Sequence, residues 1–244
     1  SASASKNEAF WKEMHRDLPK APDIGRKAKG LEPLWFNLGD VEGRRLRISI
    51  APRTLDQLTK RAARENLGST VVLFAGFLEA LCQQYNTDRL AFTTLIARSD
   101  PGLNRFAGAH YFDPILLYKS MEQNGIEQAA QRLKSDIMMA SSHLPSEAAS
   151  QATDYEKSLV EAGIYPRQFS IHQPRPTTRL KRSTFRGGLD VVAGTAQRMG
   201  PYLLTPLDVS IYRRSRTDLR FLIREGQANQ GFDLEYDGKS YSEV

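Results

Sequence analysis

Four histidines, His15, His110, His143 and His172, are the residues of this chain whose ordinary pKa lies closest to neutrality, and no two are adjacent. A histidine oriented by a carboxylate can act as a general base, so His110 with Asp113 and His143 with Glu147 are the pairs to weigh. Residues three apart on a regular strand point to opposite faces, so His110 and Asp113 would not meet there. His143 and Glu147 straddle Pro145, which breaks a helix, so their four-residue spacing does not bring them together. His172 lies in a strand pattern and reads as a core or edge histidine. The single Cys82 lies in an apolar helical pattern, which leaves no disulfide or cysteine metal site within one chain and makes it a core residue. No short spacing of His, Asp or Glu converges as a metal site requires. Gly187-Gly188 follows Arg182 and Arg186 but lacks the Gly-x-x-x-x-Gly-Lys order of a phosphate loop.

The elements that would position these residues must come from 244 residues, enough for one large α/β domain with a sizeable core or for two small ones. At 40% hydrophobic and 25% charged, the composition is that of a globular chain, not a disordered or fibrous one. No apolar run approaches the ~20 residues of a membrane span, and the N-terminus lacks the order of a signal peptide, so a cytoplasmic location with no membrane partner is expected. Ser1 to Ser5 reads as a linker or an expression remnant. The net charge of +6 permits an acidic partner. Much of the excess lies late, at Arg175, Arg179, Lys181, Arg182, Arg186, Arg198, Arg213, Arg214, Arg216, Arg220 and Arg224. These cations are not interleaved with aromatic platforms, which argues against nucleic acid.

Trp11, Met14 and Leu18 predict a short helix from Glu8 to Leu18, stopped by Pro19. Lys20 to Gly43 predicts a crossing loop, and Arg44 to Ile50 a strand with Leu46, Ile48 and Ile50 on one face. Thr54 is placed to cap a helix carrying Leu55, Leu58 and Ala62, which Asn66-Leu67-Gly68 ends. Ser69-Thr70 opens a second helix, apolar almost all round and hence central, through Val71, Phe74, Leu78, Leu81 and Tyr85. Strands are predicted at Arg89 to Arg98 and Asp113 to Tyr118, joined through the Ser99–Gly102 turn, and Gly125 to Ser142 is the clearest helix. Further strands are expected at Arg167–His172, Leu204–Tyr212, Leu219–Arg224 and Gly231–Tyr236, with a long Arg- and Gly-rich excursion from Pro174 to Pro201. Alternating helices and strands followed by a run of strands predict an α/β fold, a mixed sheet covered by helices.

Phe106 to Tyr118 resembles the "GxFVNT" strand of the condensation domains of nonribosomal peptide synthetases, with Gly108, Phe112 and Asp113 in the places of Gly, an apolar residue and Asn. Six other segments follow in that family's order. Phe10-Trp11 with Leu18-Pro19 and Pro22 is similar to its "YWxxxLxGxP" helix, and Ser69 to Tyr85 to its "TxxxxLLAAxxxLLxRY" helix. Phe92 to Arg98 is similar to "GxPxxxR", Phe169 to Gln173 to "FQVxFNYQ", Pro206 to Ser210 to "FDLxL", and Phe232 to Asp237 to "LEYxxDLF". The resemblance implies that residues 6–244 are a single chloramphenicol-acetyltransferase-like lobe, the C-terminal, acceptor-side one, with the N-terminal catalytic lobe absent. That lobe carries the family's HHxxxDG motif; the only Asp-Gly pair here, Asp237-Gly238, has no histidine just upstream.

By this resemblance no residue of the chain is catalytic, and the isolated chain is expected to be inactive. Gly108, Phe112, Asp113 and Arg98 would line the acceptor tunnel, while Arg179, Arg182, Arg186, Arg213 and Arg214 would dock an acidic carrier protein. The chain would bind no cofactor or metal itself, the phosphopantetheine arm arriving on the carrier. The implied activity is the acceptor half of amide-bond formation between carrier-bound acyl and aminoacyl thioesters. The alternative is a non-catalytic module that docks carriers. Two departures bear on the choice: Asp113 replaces the Asn, and only Leu144, Pro145 and Glu147 of the "HQDLPFE" motif are kept.

Overall fold

Pro52 opens helix α2 (Pro52–Arg64) at the first helical turn, where a missing N–H costs nothing, and Ala51 stands at the cap without a side-chain hydrogen bond. The expected Thr54 cap is thus corrected: proline's fixed φ starts the helix earlier and leaves Thr54 inside it. This is seen in a computed structural model that describes residues 2–22, 43–97, 111–121, 125–143, 158–159, 161–165, 168–172, 197–199, 202–204, 219–224 and 231–238. Helix α2 ends on Asn66 at φ 53°, with the Asn66 N–H donating to the Ala63 carbonyl and the Leu67 N–H to the Ala62 carbonyl. That double closure needs a left-handed residue, and asparagine supplies it instead of the expected Gly68. Gly68 caps the next helix, α3 (Ser69–Gln84), which closes the same way on Asn86 at φ 47°.

Helix α1 (Ala2–His15) begins earlier and ends earlier than its apolar spacing suggested. Residues 2–5, expected as a linker, are helical, since alanine favours a helix and serine is tolerated in a first turn. Leu18 stands beyond the helix because a residue before proline is disfavoured in helical geometry. Helix α4 (Ile126–Ser142) is capped by Gly125 at φ 84°, a backbone conformation suited to glycine.

Six strands form one mixed sheet: β1 (Gly43–Ser49), β2 (Arg89–Thr94), β5 (Ile115–Lys119), β6 (Phe169–His172), β9 (Leu219–Arg224) and β10 (Gly231–Asp237), in the order β1-β10-β9-β6-β2-β5. β2, β6 and β9 run parallel, and the outer pairs are antiparallel. The strand expected as a single run at 89–98 is interrupted after Thr94, and the one expected at 113–118 starts at Ile115 and runs to Lys119. β3 (Ile96–Ala97) pairs with β4 (Tyr111–Phe112) as a separate ladder, and Pro114, which cannot donate to a ladder, parts β4 from β5. The Pro174–Pro201 excursion contains β7 (Gln197–Met199), paired with β8 (Tyr202–Leu204). Of the strand expected at 204–212, only Leu204 lies among the described residues.

One face of the sheet carries Leu90, Phe92, Leu116, Tyr118, Phe169, Ile171, Phe221 and Ile223, all buried, with α3 and α4 in the same core. Phe77 stacks on Phe221 at 4.7 Å between ring centroids, and Phe221 lies 4.7 Å from Phe232. On the other face Ala91 and Ile115 join Leu18 and Leu159 in a second, smaller cluster.

Candidate functional site

The carboxyl ends of β2, β6 and β9 lie at one end of the sheet, as their parallel registers require. β5 runs antiparallel to β2 with Ile115 opposite Thr93, so the chain enters β5 at that same end. Asp113 and Pro114 therefore stand beside the carboxyl end of β2, with Asp113 half-buried and Pro114 buried. Phe112 is held there by β4, opposite Ile96. His172 closes β6 at this end, opposite Leu222. Carboxyl ends of parallel strands are where open α/β sheets gather ligands, because the chain leaves each strand there into a connection free to vary.

The sheet face away from α3 leads to this end and is polar over β1 and β10 and at Arg220 on β9. Arg45 on β1 pairs with Asp233 at 3.3 Å and with Glu235; Arg47 reaches Asp233 at 3.7 Å, and Arg220 reaches Glu235 at 3.4 Å. The Arg45 side chain is only 8% exposed and that of Asp233 only 4%. Charges this buried persist only when paired, and these are paired across strand registers Arg45↔Glu235 and Arg47↔Asp233. Beyond them, Thr93 and Ser170 face each other across β2 and β6, both fully buried. The Thr93 hydroxyl has no hydrogen-bond partner among the described residues. A buried hydroxyl left so costs about 1–3 kcal/mol, which marks the place as one that stability alone does not explain.

Two further polar groups fix the frame. Glu79 on α3 is buried and accepts hydrogen bonds from the Tyr118 hydroxyl (2.8 Å), the Ser120 hydroxyl (2.7 Å) and the Met121 N–H (2.7 Å), tying α3 to β5. Burial and then the neighbouring Glu79 push the Tyr118 hydroxyl well above the usual tyrosine range, so it stays a donor. Burial first, and then Glu79 and Asp88, push the Cys82 thiol up to about 12, which makes it an inert core residue.

Helix α1 covers the edge of β5. His15 Nε2 lies 3.1 Å from the Ile115 carbonyl oxygen, and Trp11 Nε1 donates to the His143 carbonyl at 2.8 Å. Phe10 stacks on the His143 ring at 3.9 Å. His143 Nδ1 is 2.9 Å from the Met139 carbonyl oxygen, so the ring serves the end of α4. Burial lowers the His15 pKa, a shift that its bond to Ile115 only partly opposes.

No protein-family model matches this sequence, and no curated protein matches it either. Solved structures do. The nonribosomal peptide synthetase cyclization-docking bidomain EpoB of Sorangium cellulosum superposes with a TM-score of 0.65 at 15% identity, over 97% of this chain and 44% of that one. The fold is that of one condensation-domain lobe. The first condensation domain of the calcium-dependent antibiotic synthetase, in complex with a substrate analogue, matches at TM-score 0.62 and 15% identity, over 99% of this chain and 47% of that one. The synthetase FmoA3 matches at TM-score 0.62 and 14% identity, with 98% and 24% covered. This chain thus spans less than half the length of each.

Within this condensation-type lobe, the residues singled out from the sequence fall unevenly. Phe112 and Asp113 are brought together beside Ile96, at the carboxyl end of the parallel strands. Arg98, Gly108, His110, Glu147, Arg179, Arg182, Arg186, Arg213 and Arg214 lie outside the described residues. So do the Ser99–Gly102 turn and most of the crossing loop expected from Lys20 to Gly43. Sequence reasoning missed the paired set of Arg45, Asp233, Glu235 and the half-buried Arg220, and the buried Glu79. The signal for the former was faint: arginines on alternate positions of β1 and acids on alternate positions of β10. Among the described residues no group of three or more His, Cys, Asp or Glu could hold a metal ion, and no single helix is long and apolar enough to cross a membrane.

Proposed function

We propose that this chain is the acceptor-side, C-terminal lobe of a condensation domain, which positions a carrier-bound aminoacyl thioester for amide-bond formation. The observation that carries the reading is the placement of Phe112 and Asp113, in the order of the family's "GxFVNT" strand, at the carboxyl end of β2 in a sheet of the condensation-domain fold. A tunnel reaching that end would meet Asp113, the polar strand faces behind it and the Thr93 hydroxyl. The attacking amine must lose a proton, and in the family the second histidine of HHxxxDG takes it. The 244 residues hold no such motif, so a partnering lobe supplies the base and this lobe supplies position.

A second reading is a docking module without chemistry. Asp113 in place of Asn favours it, because a carboxylate near the acceptor amine would hold the amine protonated and unreactive. Both readings use the cations at Arg179, Arg182, Arg186, Arg213 and Arg214 to attract an acidic carrier and its phosphate-bearing arm. Exposed rim charges act modestly and are screened beyond about 8–10 Å at physiological salt. Titration with an aminoacyl-loaded carrier protein should therefore give weak binding that fades as salt rises. Reversing Arg179, Arg182 and Arg186 together to Glu should weaken capture with little change in melting temperature, since surface changes are usually worth under about 0.5 kcal/mol each. Equal affinities and equal salt slopes for parent and variant would remove carrier docking from this cluster. Amide formation after a histidine-bearing lobe is supplied separates the two readings.

A further inference from the structure

The far side of the helical layer carries a groove that the proposed chemistry does not use. It runs between α2 and α4 as two adjoining depressions of about 850 and 590 Å³ that share Glu65 and Gln131. Residues of α2 line it at helical spacing, Gln57, Lys60, Arg61 and Arg64. On the α4 side the lining runs from Glu127 to Ser142, while the opposite stripe of that helix, Ala129, Ala130, Leu133 and Ala140, is buried in the core. At 1.5 Å per residue the stripe is about 22 Å long, the length of a helix of about fifteen residues.

The lining is basic at one end and apolar at the other. Among the described residues that line it, Lys60, Arg61, Arg64 and Lys134 stand against two carboxylates, Glu65 and Glu127. Arg61 is paired with Glu127, and Lys60 reaches Asp56 at 2.7 Å, outside the lining. Lys134 Nζ donates to the Asn66 carbonyl at 2.8 Å, which leaves its charge without an acidic partner among the described residues. At the other end Met138 and Met139 are 60% and 43% exposed, two of three large hydrophobic side chains exposed among the described residues. Methionine is adaptable and recurs on surfaces that receive apolar side chains.

We propose that this groove is a docking site for an acidic amphipathic helix of a protein partner. Its carboxylates would lie along Lys60, Arg64 and Lys134, and its apolar residues on Met138 and Met139. A groove between two helices with apolar footing and a charged flank is the seat that such a helix takes through residues spaced three and four apart. Charge complementarity selects an acidic helix over a basic one, and would chiefly speed encounter. The site is independent of the proposed acyl-transfer role and stands or falls separately from it.

The test uses the whole chain and two labelled sixteen-residue peptides, one with Leu and Glu at helical spacing and its twin with Lys for Glu, read by fluorescence anisotropy. The acidic peptide should bind about tenfold more tightly than its twin, and Lys60→Glu with Arg64→Glu should cost it about tenfold, equivalent to about 1.4 kcal/mol. Met138→Ser with Met139→Ser should weaken it about fivefold with the salt slope unchanged. In the otherwise unaltered protein, a photo-crosslinker on Ser135→Cys in the groove should capture the acidic peptide, and one on Glu161→Cys, on the segment that packs with the opposite sheet face, should not. Equal binding of the two peptides, equal capture from both positions, or binding of phosphatidylserine vesicles in place of the peptide would overturn the proposal.

Discussion

The two faces of the six-stranded sheet are built on different terms. The face under α3 and α4 is filled by Phe92, Leu116, Phe169 and Ile171, each fully buried, and its aromatic rings continue to Phe221 and Phe232. The opposite face is apolar around Ala91 and Ile115 and at Leu222; over β1, β10 and β9 it also holds Arg45, Arg47, Arg220, Asp233 and Glu235. Apolar burial alone would have stabilised that half at least as well, because buried ion pairs barely offset their own desolvation. The first face therefore explains why the chain folds, and the second, which leads to the carboxyl ends of the parallel strands, is where function is to be sought.

The largest effect should come from the first face. Phe92→Ala should lower stability by about 3–5 kcal/mol, and Leu78→Ala or Leu133→Ala by about 2–5 kcal/mol, in denaturant titrations. Costs below 1 kcal/mol at all three positions would contradict the packing described here.

The second face should behave differently in kind. Asp233→Asn leaves Arg45 with Glu235 as its partner, so the cost should be about 1–3 kcal/mol, less than the full loss of a buried pair. Replacing Arg45, Arg220, Asp233 and Glu235 together by Met, Met, Leu and Leu, which also removes the half-buried cation that Glu235 holds, should then restore much of the loss or exceed the parent. A quadruple variant less stable than Asp233→Asn alone would show that the charges are needed for the fold.

The smallest effect concerns pH and the α1 clamp. Because burial lowers the His15 pKa below 6.5, the unfolded chain takes up the proton first as pH falls. Stability is retained above 6.5 and declines as pH drops from there towards the lower folded value. His15→Gln, which can still meet the Ile115 carbonyl, should flatten that part of the melting-temperature profile. An unchanged profile would place the pH dependence elsewhere.

These contrasts follow what the sequence made legible. Helical spacing at Phe74, Leu78 and Leu133 was enough to identify α3 and α4 and their buried stripes, since apolar periodicity is a local signal. Alternation identified β1 as a strand but not which face was dry. Leu46 is 47% exposed on that edge strand, whereas the Arg45 side chain is 8% exposed. That reversal depends on β1 pairing with β10, nearly two hundred residues away in sequence, which no window of β1 reveals. Asn66 took the left-handed position for which Gly68 was the expectation, which places Leu67 in the core, and Asn86 closes α3 in the same conformation. Glu79 sits inside an apolar run as if misplaced, and its donors come from Tyr118 on β5 and from Ser120 and Met121 just after it. Of the candidate site, Phe112 and Asp113 were legible through resemblance, while the polar face behind them was not.

The central claim, that this lobe positions an acceptor for a base held elsewhere, is tested most directly by a single-turnover assay. Acyl-loaded donor carrier and aminoacyl-loaded acceptor carrier are mixed with this chain, with a separately made HHxxxDG lobe, or with both, and the amide product is read by mass spectrometry. The account predicts product only with both lobes present, and more of it from Asp113→Asn, which removes the carboxylate that the proposal sets beside the acceptor amine. Turnover by this chain alone, or no product from the paired lobes with either residue at position 113 while the same lobe is active with its own natural partner, would contradict it.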